Sequence, residues 1–155
     1  MNKSLEKHRE KIEEYAIAME QMGLTPVASR VYAYLLFSGG EGITFEELLD
    51  YFKVSKSAIS NAIKLLDTSG MIISKTRGGQ RKRFFYPDMK LFFSEELVSS
   101  RMNTFLKVVT DMQKERGKDD QFNTELKNIA ILYKMMLDGL VVIIQKWKNT
   151  VQQEQ

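Results

Sequence analysis

The chain has 155 residues, 43% of them apolar and 28% charged, which suits one globular domain with appended helices. It has no cysteine and one histidine, His8, which excludes a disulfide framework, a thiol nucleophile, a thiolate zinc site and a multi-histidine metal site. The net charge of +3 is uneven. Between residues 53 and 83, Lys53, Lys56, Lys64, Lys75, Arg77, Arg81, Lys82 and Arg83 stand against Asp67 alone, so the remainder is net acidic, the footprint of a surface that docks on phosphates.

Residues 5–22 predict an amphipathic helix, with Leu5, Ile12 and Met19 seven apart and Tyr15 on the same stripe. Gly23 closes it as a left-handed cap. Thr25 and Pro26 then open a second helix to about Phe37, whose Val27, Ala28, Val31, Tyr32, Leu35 and Leu36 mark it as a central core helix. After the Ser38-Gly39-Gly40-Glu41-Gly42 loop, Thr44 and Glu47 have capping-box spacing and start a short helix through Tyr51. Ser55 caps the next helix, which buries Ile59, Ile63 and Leu66 and is closed by Gly70. Its outward residues are Ser55, Lys56, Ser57, Ser60, Asn61 and Lys64. A short helix, a tight turn and a second helix with small polar and basic residues outward form a helix-turn-helix, whose second helix enters the DNA major groove.

Residues 71–75 and 84–86 have strand composition and flank a basic tip with Gly78-Gly79 at its centre, so they form a hairpin, the wing. Lys75, Arg77, Gln80, Arg81, Lys82 and Arg83 lie on it, where arginine suits the electronegative minor groove. Most of these cations are expected to meet phosphates, which position a protein without reading sequence. Asn61 can pair with adenine, although exposed Ser and Asn on a helix are often silent. A solvated charged face is the alternative to DNA contact. Its coincidence with helix and wing favours DNA.

From about Ser94 the chain predicts two long helices broken at 116–120. Leu126, Ile129, Tyr133, Met136, Leu140, Ile143 and Trp147 form a heptad stripe, widened by Leu132, Leu137 and Ile144. No stretch reads as long enough to span a bilayer and no apolar signal core follows Met1, so the expectation is a cytoplasmic protein with no membrane partner. The apolar helix surface exceeds what a small winged-helix core covers. A second copy is the expected partner, with this stripe and Leu5, Ile12, Tyr15 and Met19 at the dimer interface. Met102, Met112, Met135 and Met136 suit core filling or an adaptable pocket. Tyr133 with Trp147 reads either as dimer core or as an aromatic wall for a quaternary ammonium ligand.

The expected organisation is mainly α with a small β-hairpin: an N-terminal dimerisation helix (1–23), a winged helix-turn-helix domain (24–88) and a C-terminal helical dimerisation region (89–155). The segments Met22-Gly23-Leu24-Thr25-Pro26-Val27, Thr44-Phe45-Glu46-Glu47-Leu48 and Val54-Ser55-Lys56-Ser57-Ala58-Ile59 resemble the MarR superfamily of bacterial regulators, and within it the GbsR-like branch. The resemblance covers about residues 20–87. It implies a homodimeric regulator, a repressor of a palindromic site in double-stranded DNA, with a small-molecule effector related to choline metabolism. No nucleophile elbow, phosphate loop or paired-carboxylate site is present, so no catalytic residue, metal or cofactor is expected. The alternative class is a winged helix that binds protein. Its weakness is that such a module does not need the excess positive charge.

Overall fold

The computed structural model describes residues 3–78 and 82–153, which form two compact units, Met1–Phe92 and Phe93–Gln155. Helices α1 (Lys3–Glu6), α2 (Arg9–Gln21), α3 (Pro26–Phe37), α4 (Phe45–Phe52), α5 (Lys56–Thr68) and α6 (Met89–Phe92) belong to the first unit, with strands β1 (Ile43–Thr44), β2 (Ile72–Thr76) and β3 (Arg83–Pro87). The strands make an antiparallel sheet in the order β1-β3-β2. The architecture is a winged helix-turn-helix.

The first unit is organised around α3. Its Ala28, Val31, Tyr32, Ala33, Tyr34 and Leu35 are all buried, because α2 packs on one side and α5 on another. Ile12 from α2, Leu48 and Tyr51 from α4, Ile59, Ala62 and Leu66 from α5, and Ile72 and Phe85 from the sheet complete one core. Tyr34 packs against Tyr51 and Phe52 at ring-centroid distances of 4.4 and 5.6 Å.

The N-terminal region departs from the expected dimerisation helix. It breaks at Lys7-His8 into α1 and α2, and the His8 ring stacks on Phe37 at 5.0 Å. Leu5 and Ile12 are fully buried within their own unit, and Met19 packs against the same core. Arg30 of α3 ties α2 down by donating to Glu13 at 2.8 Å and Glu20 at 3.1 Å. Leu5 and Ile12 are therefore consumed by the chain's own fold and are not left free for a partner. Tyr15 remains 45% exposed, stacked on Phe37.

Strand β1 was not visible in the sequence. Its two residues pair with β3, Ile43 opposite Phe85 and Thr44 opposite Phe84, immediately before the α4 cap. Strand β2 is shifted one residue from the expected 71–75 and β3 extends one residue beyond 84–86 at each end, pairing from Ile72 opposite Pro87 to Thr76 opposite Arg83.

The second unit is a helical hairpin, α7 (Glu95–Arg116) against α8 (Gln121–Gln153), turning at the left-handed Gly117. Leu126, Tyr133, Leu137, Leu140 and Ile144 are the better-covered apolar residues of α8, and Tyr133 packs on Phe105 at 4.4 Å. Ile129, Met136, Ile143 and Trp147 are 40%, 50%, 66% and 51% exposed. The expected stripe thus divides, one part facing within the hairpin and the other facing out. Helix α8 is also long and apolar enough to cross a membrane by length and composition alone, at a mean hydropathy of 1.5, which corrects the expectation that no such stretch exists.

Burial, and then the Glu47 carboxylate, push the Tyr34 phenol from 10.0 up to about 12. The folded state therefore holds this proton more tightly than the unfolded chain. Stability from this group is fully present below pH 10 and is lost as pH rises towards about 12. Chemical denaturation between pH 9 and pH 12 is expected to show that decline, and Tyr34→Phe to flatten it.

Candidate nucleic-acid interface

Two local devices aim α5. At the start of α4 the Thr44 hydroxyl accepts from the Glu47 N–H at 3.3 Å while the Glu47 carboxylate accepts from the Thr44 N–H at 2.8 Å, the capping box expected from the sequence. At its end Lys53 takes a left-handed conformation, φ 53°, which turns the chain within three residues into α5. Ser55 then caps α5, its hydroxyl accepting from the Ala58 N–H at 3.2 Å.

Because Ile59, Ala62 and Leu66 are buried, the opposite face of α5 must be presented outward. Lys56, Ser57, Ser60, Asn61 and Lys64 are all exposed on it. Ser55 is exposed too, but its hydroxyl is occupied by the cap and by the Ser57 hydroxyl at 3.0 Å. Its first role is to start the helix, so a DNA contact by Ser55 would have to share that oxygen.

On the wing, Lys75, Arg77, Lys82 and Arg83 are exposed, whereas Gln80 and Arg81 lie outside the described residues. Arg77 is held in place: its guanidinium lies 4.2 Å from the Phe84 ring centroid and donates to the Tyr86 hydroxyl at 3.3 and 3.4 Å. A cation fixed by an aromatic seat loses less rotamer entropy on meeting a phosphate than a free one. Lys75 sits 5.8 Å from the Tyr86 ring. Neither Phe84 nor Tyr86 was singled out from the sequence. Strand alternation was the signal, since the ladder sets Lys75 opposite Phe84 and Ile73 opposite Tyr86.

The structure brings wing and helix together. Ser60 and Ile63 of α5, Phe45 and Glu46 of α4, and Lys82, Arg83 and Phe85 line one open groove of about 420 Å³. Lys82 also borders a second groove with Glu46, Glu47 and Asp50. Carboxylates on α4 and cations on α5 and the wing favour a polyanion on the α5 side.

Gly42 supports the arrangement from beneath. A Cβ there would lie 2.5 Å from the Tyr86 ring end and 2.9 Å from the Phe84 Cβ, so both residues of the Arg77 seat rest against bare backbone.

Other expected features are placed differently. Tyr133 and Trp147 do not form one aromatic wall: fourteen residues of helix separate them by about 21 Å, and Tyr133 is committed to Phe105. Met112, Met135 and Met136 are 46%, 67% and 50% exposed, so they do not fill a core within the chain. Among the described residues no cluster of three or more His, Cys, Asp or Glu side chains could hold a metal ion.

Residues 29–81, from α3 to the wing tip, match a family described as an HTH domain. No curated protein matches the chain. Among solved structures, one described as a transcriptional regulator is similar over 92% of this chain and 99% of its own, with a TM-score of 0.81 and 21% identity. MepR, a transcription regulator of the Staphylococcus aureus multidrug efflux pump MepA, aligns over 88% of this chain and 97% of its own at 17% identity, with a TM-score of 0.44. A putative MarR family regulator from Listeria monocytogenes, complexed with 26mer DNA, aligns over 94% of each chain at 15% identity and a TM-score of 0.41. The first of these agrees with the fold derived above.

Gly42→Ala is expected to displace Tyr86 and free Arg77. Thermal unfolding should shift to lower temperature, and Arg77 should lose its restraint, read as a sharpened guanidinium NMR signal. An unchanged spectrum would mean that the seat does not depend on Gly42.

Proposed function

We propose that the protein is a sequence-specific DNA-binding transcriptional regulator of the MarR type, of the GbsR-like branch, acting in the cytoplasm as a homodimer. The observation that carries this reading is that the outward side of α5, through Ser60, and the wing cations Lys82 and Arg83 border one groove of the helix-turn-helix. Lys56 and Lys64 meet phosphates, Asn61 and Ser60 read base edges, and Arg77, with Lys75, Lys82, Arg83 and the tip residues Gln80 and Arg81, flanks the groove. Two copies place their α5 helices in successive major grooves about 34 Å apart, so the operator is palindromic. Occupancy of that site blocks transcription, which makes the regulator a repressor.

The small effector in this reading is anionic and amphiphilic. An open groove of about 620 Å³ in the second unit is lined by Lys107, Lys127 and Lys134 beside Leu106, Ile131 and Met135. Such a lining disfavours a quaternary ammonium and suits a carboxylate on an apolar body.

The test is fluorescence anisotropy of the protein against its own upstream intergenic DNA and a scrambled duplex, at several salt concentrations. The native duplex is expected to bind at least tenfold more tightly. Each lost phosphate contact should reduce the slope of log K against log salt by about 0.9, so Arg77→Ala and Lys64→Ala flatten it. Asn61→Ala should instead erode the preference for the native sequence. Equal, weak binding of both duplexes at low salt would transfer the basic surface to a protein partner.

A further inference from the structure

Helix α4 carries three carboxylates, and two of them are committed within the chain. Glu47 accepts from the Thr44 N–H at 2.8 Å, and Asp50 accepts from the Lys53 ammonium at 3.0 Å. The Glu46 carboxylate is exposed, and among the described residues no donor holds it. Its place is the unusual feature. Glu46 borders the groove of about 420 Å³ where Ser60 of α5 meets Lys82 and Arg83 of the wing, and with Lys82 it also borders the groove alongside. An uncommitted negative charge therefore stands within the basic surface. The count of charges between residues 53 and 83 leaves it out, because the pairing of Thr44 with Phe84, and not sequence proximity, brings the start of α4 to the wing.

We propose that Glu46 is a specificity-determining residue, one that repels the sugar-phosphate backbone in every DNA register except the one set by the base contacts of α5. The inference rests on the DNA-binding reading above and deepens it. In a helix-turn-helix the second helix enters the major groove while the first crosses the backbone. Helix α4 is that first helix, so a carboxylate in its first turn faces phosphates and not base edges. Phosphate contacts supply essentially all of non-specific binding, and like charges brought together suppress wrong partners. On non-operator DNA only phosphates hold the protein, so Glu46 meets them in one register after another. At the operator, Ser60 and Asn61 hold a single register, in which Glu46 stands between phosphates with solvent in the open groove. Repulsion then discriminates where attraction to phosphate is blind to sequence.

A purely helix-stabilising role is the competing reading, since an acidic side chain in the first turn complements the helix dipole. The surroundings favour the DNA role. Glu47 occupies the same turn and completes the capping box, so the start of α4 is satisfied without Glu46. A carboxylate that served only the dipole would act equally well on any side of that turn, whereas Glu46 borders the groove that holds Ser60, Lys82 and Arg83.

The test is anisotropy of the full chain on its own upstream intergenic duplex and on the scrambled duplex, at about 0.15 M salt, where screening confines charge effects to about 8 Å. Glu46→Gln is compared with Glu10→Gln, which removes the same charge from the exposed side of α2, outside both grooves. Glu46→Gln is expected to tighten the scrambled duplex about fourfold, the Coulomb cost of two like unit charges about 5 Å apart in water. The native duplex should tighten less, so the preference for it narrows. Glu10→Gln is expected to change neither. Glu46→Lys adds a phosphate contact and should steepen the salt slope on the scrambled duplex by about 0.9; an unchanged slope would mean that position 46 does not reach the backbone, and overturns the proposal. Equal tightening of both duplexes overturns the specificity role, as does a change of the same size from Glu10→Gln. Unchanged binding by Glu46→Gln overturns it as well, and a lowered unfolding temperature alongside assigns Glu46 to the helix alone. Each of these results leaves the DNA-binding reading standing. Failure of the unsubstituted protein to bind either duplex overturns both.

Discussion

The outward face of α5 depends on what its inward face does. Ile59, Ala62 and Leu66 are held against α3, and α3 is nearly surrounded, so α5 has one rotational setting about its axis. A turn of 100° would expose leucine and isoleucine and bury lysine, at several kcal/mol by ordinary transfer energies of about 1.5–3 kcal/mol per apolar side chain. The polar surface offered to a ligand is thus fixed by core packing and not by the polar residues themselves.

The turn that delivers α5 uses a different kind of constraint. The capping box at Thr44 and Glu47 fixes where α4 begins, the left-handed Lys53 fixes where it stops, and the Ser55 cap fixes where α5 begins. Strand β1 adds a tie that joins this turn region to the wing, since Thr44 both pairs with Phe84 and caps α4. Wing and helix therefore share one rigid origin. That common origin suits the proposed contact of both with one polyanion.

The second unit obeys the opposite logic. Its two helices can cover only part of each other, and α8 is apolar around too much of its circumference for one neighbour to shield. Excess apolar surface of this kind is where a partner is proposed. The N-terminal stripe shows why periodicity alone does not identify that partner: Leu5 and Ile12 have the same seven-residue spacing as the α8 residues, yet α3 takes them up within the chain.

Much of the fold was legible in the sequence because its signals are local. Pro26 and Gly23 bracket a helix boundary, Thr44-Glu47 and Ser55 announce helix starts, and Gly70 ends α5, each through backbone chemistry within four residues. The polar face of α5 was legible for the same reason, as periodicity against Ile59 and Leu66. Only the tertiary structure decided which apolar stripes are used internally, because burial depends on neighbours far along the chain. It also disclosed β1, too short to carry a pattern, and the seat of Arg77 on Phe84 and Tyr86 above Gly42, which depends on strand pairing. Sequence determined where α3, α4 and α5 start and which face of α5 is polar; long-range packing determined what each apolar face meets.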